Sequence, residues 1–210
     1  MKVINPYSKL EEYMSSITHL LGAGMAISGL AFLVIHAVQE GGIKQIIGFS
    51  VFGLSAVFLY LMSGIYHILP IGKYRKIFKI LDHSAIYVLI SGSYTPFLLI
   101  LGGITGWIIL VIQWTLTGLG VLFKIKFAGK FQTISTLIYL FMGWMVVFVF
   151  GNLKSSINSL SLMFLIIGGI FYSVGAIFYS MKKVKYTHVI WHFFVIGGTT
   201  FHYLAIYHSI

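Results

Sequence analysis

Seven stretches of mostly apolar residues, each about 20 long, divide this chain, and short polar or basic joints separate them. They run roughly over 17–38, 46–69, 81–102, 104–123, 131–151, 159–180 and 187–208. A helix of that length crosses the hydrocarbon core of a bilayer, where each backbone polar group must find its partner inside the segment. The chain is therefore expected to be an all-α integral membrane protein: a seven-transmembrane helix bundle forming a single domain over 1–210. Composition removes the soluble alternative. The chain is 59% hydrophobic and 9% charged, against about 25% charged residues in a soluble domain. The joint at Gly102–Gly106 is the least marked, a glycine break without charge. A turn is expected there because the apolar run from Leu81 to Phe123 is too long for one crossing, and Trp107 suits an interface. No cleavable signal peptide, linker, second domain or fixed-period repeat is expected.

The net charge of +10 at first suggests nucleic acid, but its distribution has another explanation. With seven spans, one side of the membrane carries Lys2, Lys9, Lys73, Arg75, Lys76, Lys79, Lys124, Lys126, Lys130, Lys182, Lys183 and Lys185. The other side carries only Lys44 and Lys154. The positive-inside rule then predicts a cytoplasmic N-terminus and an external C-terminus. The charge is accounted for by topology and attraction to anionic lipid, with no nucleic-acid partner. The absence of cysteine confines any transition metal to histidine, carboxylate or water.

Ionisable residues inside such spans are costly and mark functional sites. His188 and His192 in "YTHVIWHFF" are four apart, on one face of a helix. Ser63 and His67 in "LMSGIYHILP" repeat that spacing at the end of span two, and Asp82 opens span three in "KILDHSAIYV". Each has a bland alternative: a helix N-cap for Asp82, a backbone hydrogen bond for Ser63, interfacial solvation for His67. Alternating span directions nevertheless bring His67, Asp82, His188 and His192 to one level near the cytoplasmic face. Three histidines and a carboxylate suit zinc, with His67, His188 and His192 as ligands. Asp82 would then hold water, accept its proton or complete the shell, and Ser63 would bond the water or a substrate oxygen. His83 turns about 100° from Asp82 around the helix. His19 could reach the same layer. His36 and His208 fall at external helix ends, and His202 reads as a packing or cavity residue. Gly168–Gly169 and Gly197–Gly198 read as points of close helix approach.

Taken together, "EEYMSSITH", "SGIYH", "LDHSAIY" and "HVIWHFFVIGGTTFH" resemble the haemolysin III family, the bacterial branch of the progestin and adipoQ receptor superfamily, which includes the adiponectin receptors. The resemblance covers essentially the whole chain. It implies a zinc ion held by His67, His188 and His192 near the cytoplasmic side, Asp82 acting on it through water, and Ser63 as the family's serine. It further implies a link to lipid amide (ceramide) hydrolysis, to membrane lipid homeostasis and, for the bacterial members, to haemolysis. Ser15 stands where relatives often have Asn, which leaves the roles of Glu12 and His19 open. The long N-terminal region of the eukaryotic receptors has no counterpart, so hormone signalling is not expected.

Three functions compete. The first is a zinc-dependent hydrolase of a lipid amide, with Asp82 as base. The second is a non-enzymatic sensor of membrane lipid with structural zinc. The third is a pore-forming cytolysin. An open position on the metal favours the first, and a closed shell that includes Asp82 favours the second. The third would want a polar stripe through the whole membrane, which these spans lack.

Overall fold

The computed structural model describes residues 7–127, 130–181 and 183–210; Lys2 and Lys182 of the charge sorting lie outside them. Seven helical spans are long and apolar enough to cross a membrane, and no strand occurs among the described residues. The helices are α1 (Lys9–Glu40), α2 (Ile43–Ile68), α3 (Lys73–Leu101), α4 (Gly103–Phe127), α5 (Gln132–Trp144), α6 (Phe150–Ser156), α7 (Ser159–Ser180) and α8 (Thr187–Tyr207). Span five consists of α5, a 3-10 segment Met145–Val149, and α6. Many large apolar side chains, such as Ile104, Phe148 and Ile43, point outward. In water that surface would be prohibitive; against lipid tails it carries no penalty. The chain is a multi-pass protein of the cell membrane.

Local chemistry sets the helix ends. Ser8 caps α1 in a capping box: its backbone N–H donates to Glu11 Oε2 at 2.9 Å, and the Glu11 N–H donates to Ser8 Oγ at 3.2 Å. Asn158 caps α7 by accepting from the Ser161 N–H at 2.8 Å. The expected turn is at Gly102 and Gly103, whose φ values of 62° and 58° favour glycine.

Two spans begin earlier than their apolar runs. α1 starts at Lys9, which brings Glu11 and Glu12 into its first turn, both buried. α3 starts at Lys73 with Gly72 as N-cap. Asp82 therefore lies more than two turns inside the helix and cannot be its cap. Hydropathy misses these first turns because their residues are polar, yet they carry a contact of the fold: Glu12 of α1 pairs with Arg75 of α3.

Span five departs from a single regular helix. The Tyr94 hydroxyl of α3 donates to the Gly143 carbonyl at 2.6 Å and accepts from the Val146 N–H at 2.7 Å. The Gln113 amide of α4 donates to the Met142 carbonyl at 2.9 Å. Side chains from two neighbours thus take up main-chain groups that a regular α-ladder would pair internally, and the ladder tightens to 3-10 geometry at that point.

α1 packs along α2, α2 along α3, and α7 along α8; α5 touches α3 and α7 only over short stretches. The main core lies between α1, α2, α3 and α8, around Phe49, Phe52, Leu59, Tyr60 and Val195. Gly168, Gly197 and Gly198 face His202, Phe171 and Tyr172 so closely that a Cβ would collide. Gly169, expected to do the same, has open space instead. Lys124, sorted above with the loop charges, is fully buried at the end of α4, where its ammonium donates to Ser135 Oγ at 2.5 Å.

Candidate metal centre

His67 is in the last turn of α2, and His188 and His192 occupy the first two turns of α8. Helical spacing puts the α8 pair one above the other, facing α2. His188 Nε2 lies 3.1 Å from His67 Nε2 and 3.2 Å from His192 Nε2. The ligand atoms of all three lie within 4.8 Å of one another. With bonds of 2.0–2.1 Å, a tetrahedral ion would hold its nitrogens about 3.3 Å apart, which the two separations from His188 match.

Proton placement, inferred from partner chemistry, supports the same conclusion. His67 Nδ1 lies 2.7 Å from Glu12 Oε2, a carboxylate that can only accept, so Nδ1 carries the hydrogen. His192 Nδ1 lies 3.1 Å from the Ser15 carbonyl, also an acceptor only. With the single ring proton of the neutral form on Nδ1, His67 and His192 both turn an Nε2 lone pair toward His188 Nε2. His188 has at most one Nε2 proton and can satisfy only one of them, while its buried Nδ1 has no hydrogen-bond partner. A cation at the centre resolves this excess of electron pairs. The carboxylate or carbonyl behind each imidazole is the arrangement that orients metal-binding histidines.

The supporting shell comes mainly from the first turns of α1. Glu12 bridges His67 and the Arg75 guanidinium, with Oε1 2.5 Å from Nη2. Arg75 also donates to the Leu69 carbonyl at the end of α2 and lies over the Tyr66 ring. Glu11 Oε1 accepts from the Tyr186 N–H at 2.6 Å, which pins the start of α8. Tyr186 there adopts a left-handed φ of 63°. Thr18 Oγ1 lies 3.2 Å from His192 Nδ1. His19 joins this layer by stacking on His192, with ring centroids 3.5 Å apart, and stays outside the ligand trio. Tyr7 stacks on His188 at 4.7 Å, and burial raises its phenol above the ordinary value, so it stays neutral.

Asp82 lies beside the trio and is not part of it. Its Oδ2 is 3.2 Å from His83 Nδ1, and the Ser63 side chain lies near its carboxylate. His83, which helical geometry alone set apart from Asp82, is thus its direct neighbour: the adjacent side chain folds back across the helix surface. Asp82, His83, His19, His188 and His192 all border an internal cavity of about 740 Å³. His67 and Ser63 sit behind its wall. Farther from the histidines the lining is mainly apolar, including Leu89, Phe97, Leu98, Val149 and Leu153. Between α5 and α7 the cavity passes Gly143, Trp144, Gly169 and Ser173, where Trp144 Nε1 donates to Ser173 Oγ at 3.1 Å. His202 also lines it, as its cavity reading required, while His36 Nε2 donates to the Tyr207 carbonyl at the opposite end of the bundle.

The roles of Glu12 and Arg75 were not legible in spacing. Glu12 is a second carboxylate at this level, beside Asp82. The available signal was the pair "EE" just ahead of a span that begins with "SSITH".

Comparison with known proteins agrees with this architecture. A protein named Hemolysin-3 from Bacillus cereus is 44% identical over 197 residues, covering 93% of this chain and 90% of its own length. A Hemolysin-3 homolog of Bacillus subtilis (strain 168) is 44% identical over 190 residues, covering 90% of this chain and 89% of its own. The human monocyte to macrophage differentiation factor is 26% identical over 208 residues, covering 94% of this chain and 83% of its own. No solved structure matches the chain. The model of the family described as haemolysin-III related matches residues 7–203, and the chain belongs to that family.

Proposed function

We propose that this protein is a zinc-dependent intramembrane hydrolase acting on a lipid amide, and that it serves membrane lipid homeostasis with its N-terminus in the cytoplasm. The observation that carries this reading is the convergence of two oriented imidazole lone pairs on His188 Nε2, beside a cavity that a carboxylate also borders. His67, His188 and His192 would hold the ion. Zinc, when bound, supplies a Lewis acid and lowers the pKa of water to about 7.

The chain's own groups have separable tasks. Glu12 and the Ser15 carbonyl keep the Nδ1 protons of His67 and His192 in place, so that both Nε2 atoms stay available. Asp82 borders the cavity and acts as general base, taking a proton from water on its carboxylate and returning it to the departing amine. Ser63 and His83 hold that carboxylate in position. Ser63 acts through Asp82, because it lies behind the cavity wall. The apolar length of the cavity accommodates an acyl chain and keeps bulk water away.

Zinc content by mass spectrometry, paired with turnover on a panel of N-acyl lipids in detergent, tests the reading. One zinc per chain and amide cleavage are expected. A protein that holds zinc and cleaves nothing across the panel would turn the assignment to a lipid sensor with structural zinc, a reading favoured by how tightly the histidines are tied to α1. The Hemolysin-3 name of the Bacillus cereus relative favours a cytolysin, but the apolar deep wall of the cavity is poorly suited to an aqueous conduit. Conductance of the pure protein in a bilayer would restore that view.

A further inference from the structure

Among the described residues, the cavity wall contains one lysine or arginine, Lys79. It lies three residues before Asp82 on α3, so both project from one face, about 4.5 Å apart along the axis. Lys79 is half-buried, whereas Lys73 and Lys76 in the same first turns are exposed. It forms no ion pair among the described residues. The two carboxylates nearest in charge, Asp82 and Glu12, are held by His83 and by His67 with Arg75. A half-buried ammonium thus faces a cavity without a direct counter-ion.

Beyond Asp82 the wall changes character. α3 contributes Ile86, Leu89, Ile90, Phe97 and Leu98 to it. From Lys79 to Leu98 the helix rises about 28 Å. A cation at one end, reactive groups one turn farther and a long apolar remainder make the shape of an amphiphile with its charge close to its amide.

We infer that the cavity takes a single-chain N-acyl amphiphile with an anionic head, of the N-acyl amino acid class, its carboxylate at Lys79, its amide beside Asp82 and its chain along α3. In an N-acyl glycine the carboxyl carbon is three bonds from the amide carbonyl carbon, a separation comparable to the rise of about 4.5 Å between Lys79 and Asp82. The location of the amide rests on the hydrolase reading; the recognition of the carboxylate by Lys79 does not.

The test compares N-palmitoylglycine with N-palmitoylethanolamine, equal in chain and different in head charge, on the full-length protein in neutral detergent. Binding is read by tryptophan fluorescence and thermal shift, and the ligand is recovered and weighed by mass spectrometry from the same tube. Wild type should bind the glycine conjugate about tenfold more tightly, a difference of about 1.4 kcal/mol. Lys79→Gln should abolish that preference, Lys79→Arg should keep most of it, and Lys76→Gln should leave it unchanged. Equal affinity of wild type for the two ligands overturns the inference, and needs no variant that must fold. An equal loss in Lys76→Gln and Lys79→Gln also overturns it, because the preference would then come from the charged surface at the micelle. Preferential binding with the ligand recovered intact supports the recognition of the carboxylate and overturns the placement of its amide beside Asp82 for hydrolysis. Cleavage with no preference for head charge does the reverse.

Discussion

The two sides of this bundle use polar side chains for opposite purposes. Where α1, α2, α3 and α8 meet, those bonds fix other side chains or helix ends: Glu12 on His67, Glu11 on the start of α8, and the Ser16 hydroxyl on the Gly64 carbonyl at 2.8 Å. Where α5 and α6 close the bundle, they intrude on backbone: Tyr94 and Gln113 take Gly143, Val146 and Met142 out of a regular ladder. The first side holds His188 Nε2 within a few tenths of an ångström of tetrahedral spacing from both His67 and His192. The second leaves a broken helix with short contacts beside the cavity. Rigid chemistry thus faces a wall built to be loosely packed, as a site must be if it is to position reacting groups and still admit a long flexible ligand.

The sharpest break in that comparison is removal of a nitrogen from the rigid side. His188→Ala should abolish stoichiometric zinc and reduce turnover to background, because His67 and His192 alone grip poorly. Inductively coupled plasma mass spectrometry on the purified variant reads this directly. Retention of one zinc per chain would show that the trio is not the binding set.

Asp82→Ala comes next and should separate chemistry from grip. Three histidines remain, so zinc should stay close to one per chain. Turnover should fall about 10²–10⁴-fold, the usual worth of a positioned general base. Zinc loss as complete as in His188→Ala would make Asp82 a ligand and favour the structural-zinc sensor.

The third effect is smaller and lies in the supporting shell. Glu12→Gln leaves an amide oxygen that can still accept from His67 Nδ1, but Arg75 loses its charged partner. Zinc affinity should fall about 10–100-fold, the typical cost of losing such a partner, while turnover at saturating zinc stays near wild type. Competition with a chelator of known affinity measures the first quantity. An unchanged affinity would show that the carboxylate serves packing only.

These tests fall unevenly on what the sequence makes legible. His188 and His192 stand out because four-residue spacing is local and sits inside an apolar span. His67 and Asp82 follow from counting spans, since alternating directions bring their helix ends to one face. The residue types themselves point to zinc, and the motif resemblance supports that choice. Glu12 escapes the same reasoning because its partner is 55 residues away, and hydropathy places it before span one, although helix α1 already includes it. Arg75 escapes for a related reason: as a loop charge it counts toward topology, while in the fold it closes a bridge to Glu12. The break in span five is invisible locally. "MGWMVVFVFGNL" contains no proline, and its causes, Tyr94 and Gln113, belong to other helices.

The smallest expected effect on the metal belongs to the loosely packed side, and it decides whether that side is separate at all. Tyr94→Phe keeps the ring and removes only the hydroxyl that serves Gly143 and Val146. If neighbouring groups stay as they are, a carbonyl and an N–H lose their partner away from water, at about 1–3 kcal/mol each. The melting temperature should therefore fall, while zinc content and affinity remain at wild-type values, because no bond to the three histidines passes through span five. The opposite sign is informative too. Without the hydroxyl, Met145–Val149 could return to a regular α-ladder that pairs those groups internally. A raised melting temperature with slower exchange of the Val146 amide would show that Tyr94 imposes the break on a segment that would otherwise be a regular helix. A loss of zinc in this variant would contradict the division itself, since it would mean that the shape of span five reaches the histidines through the cavity.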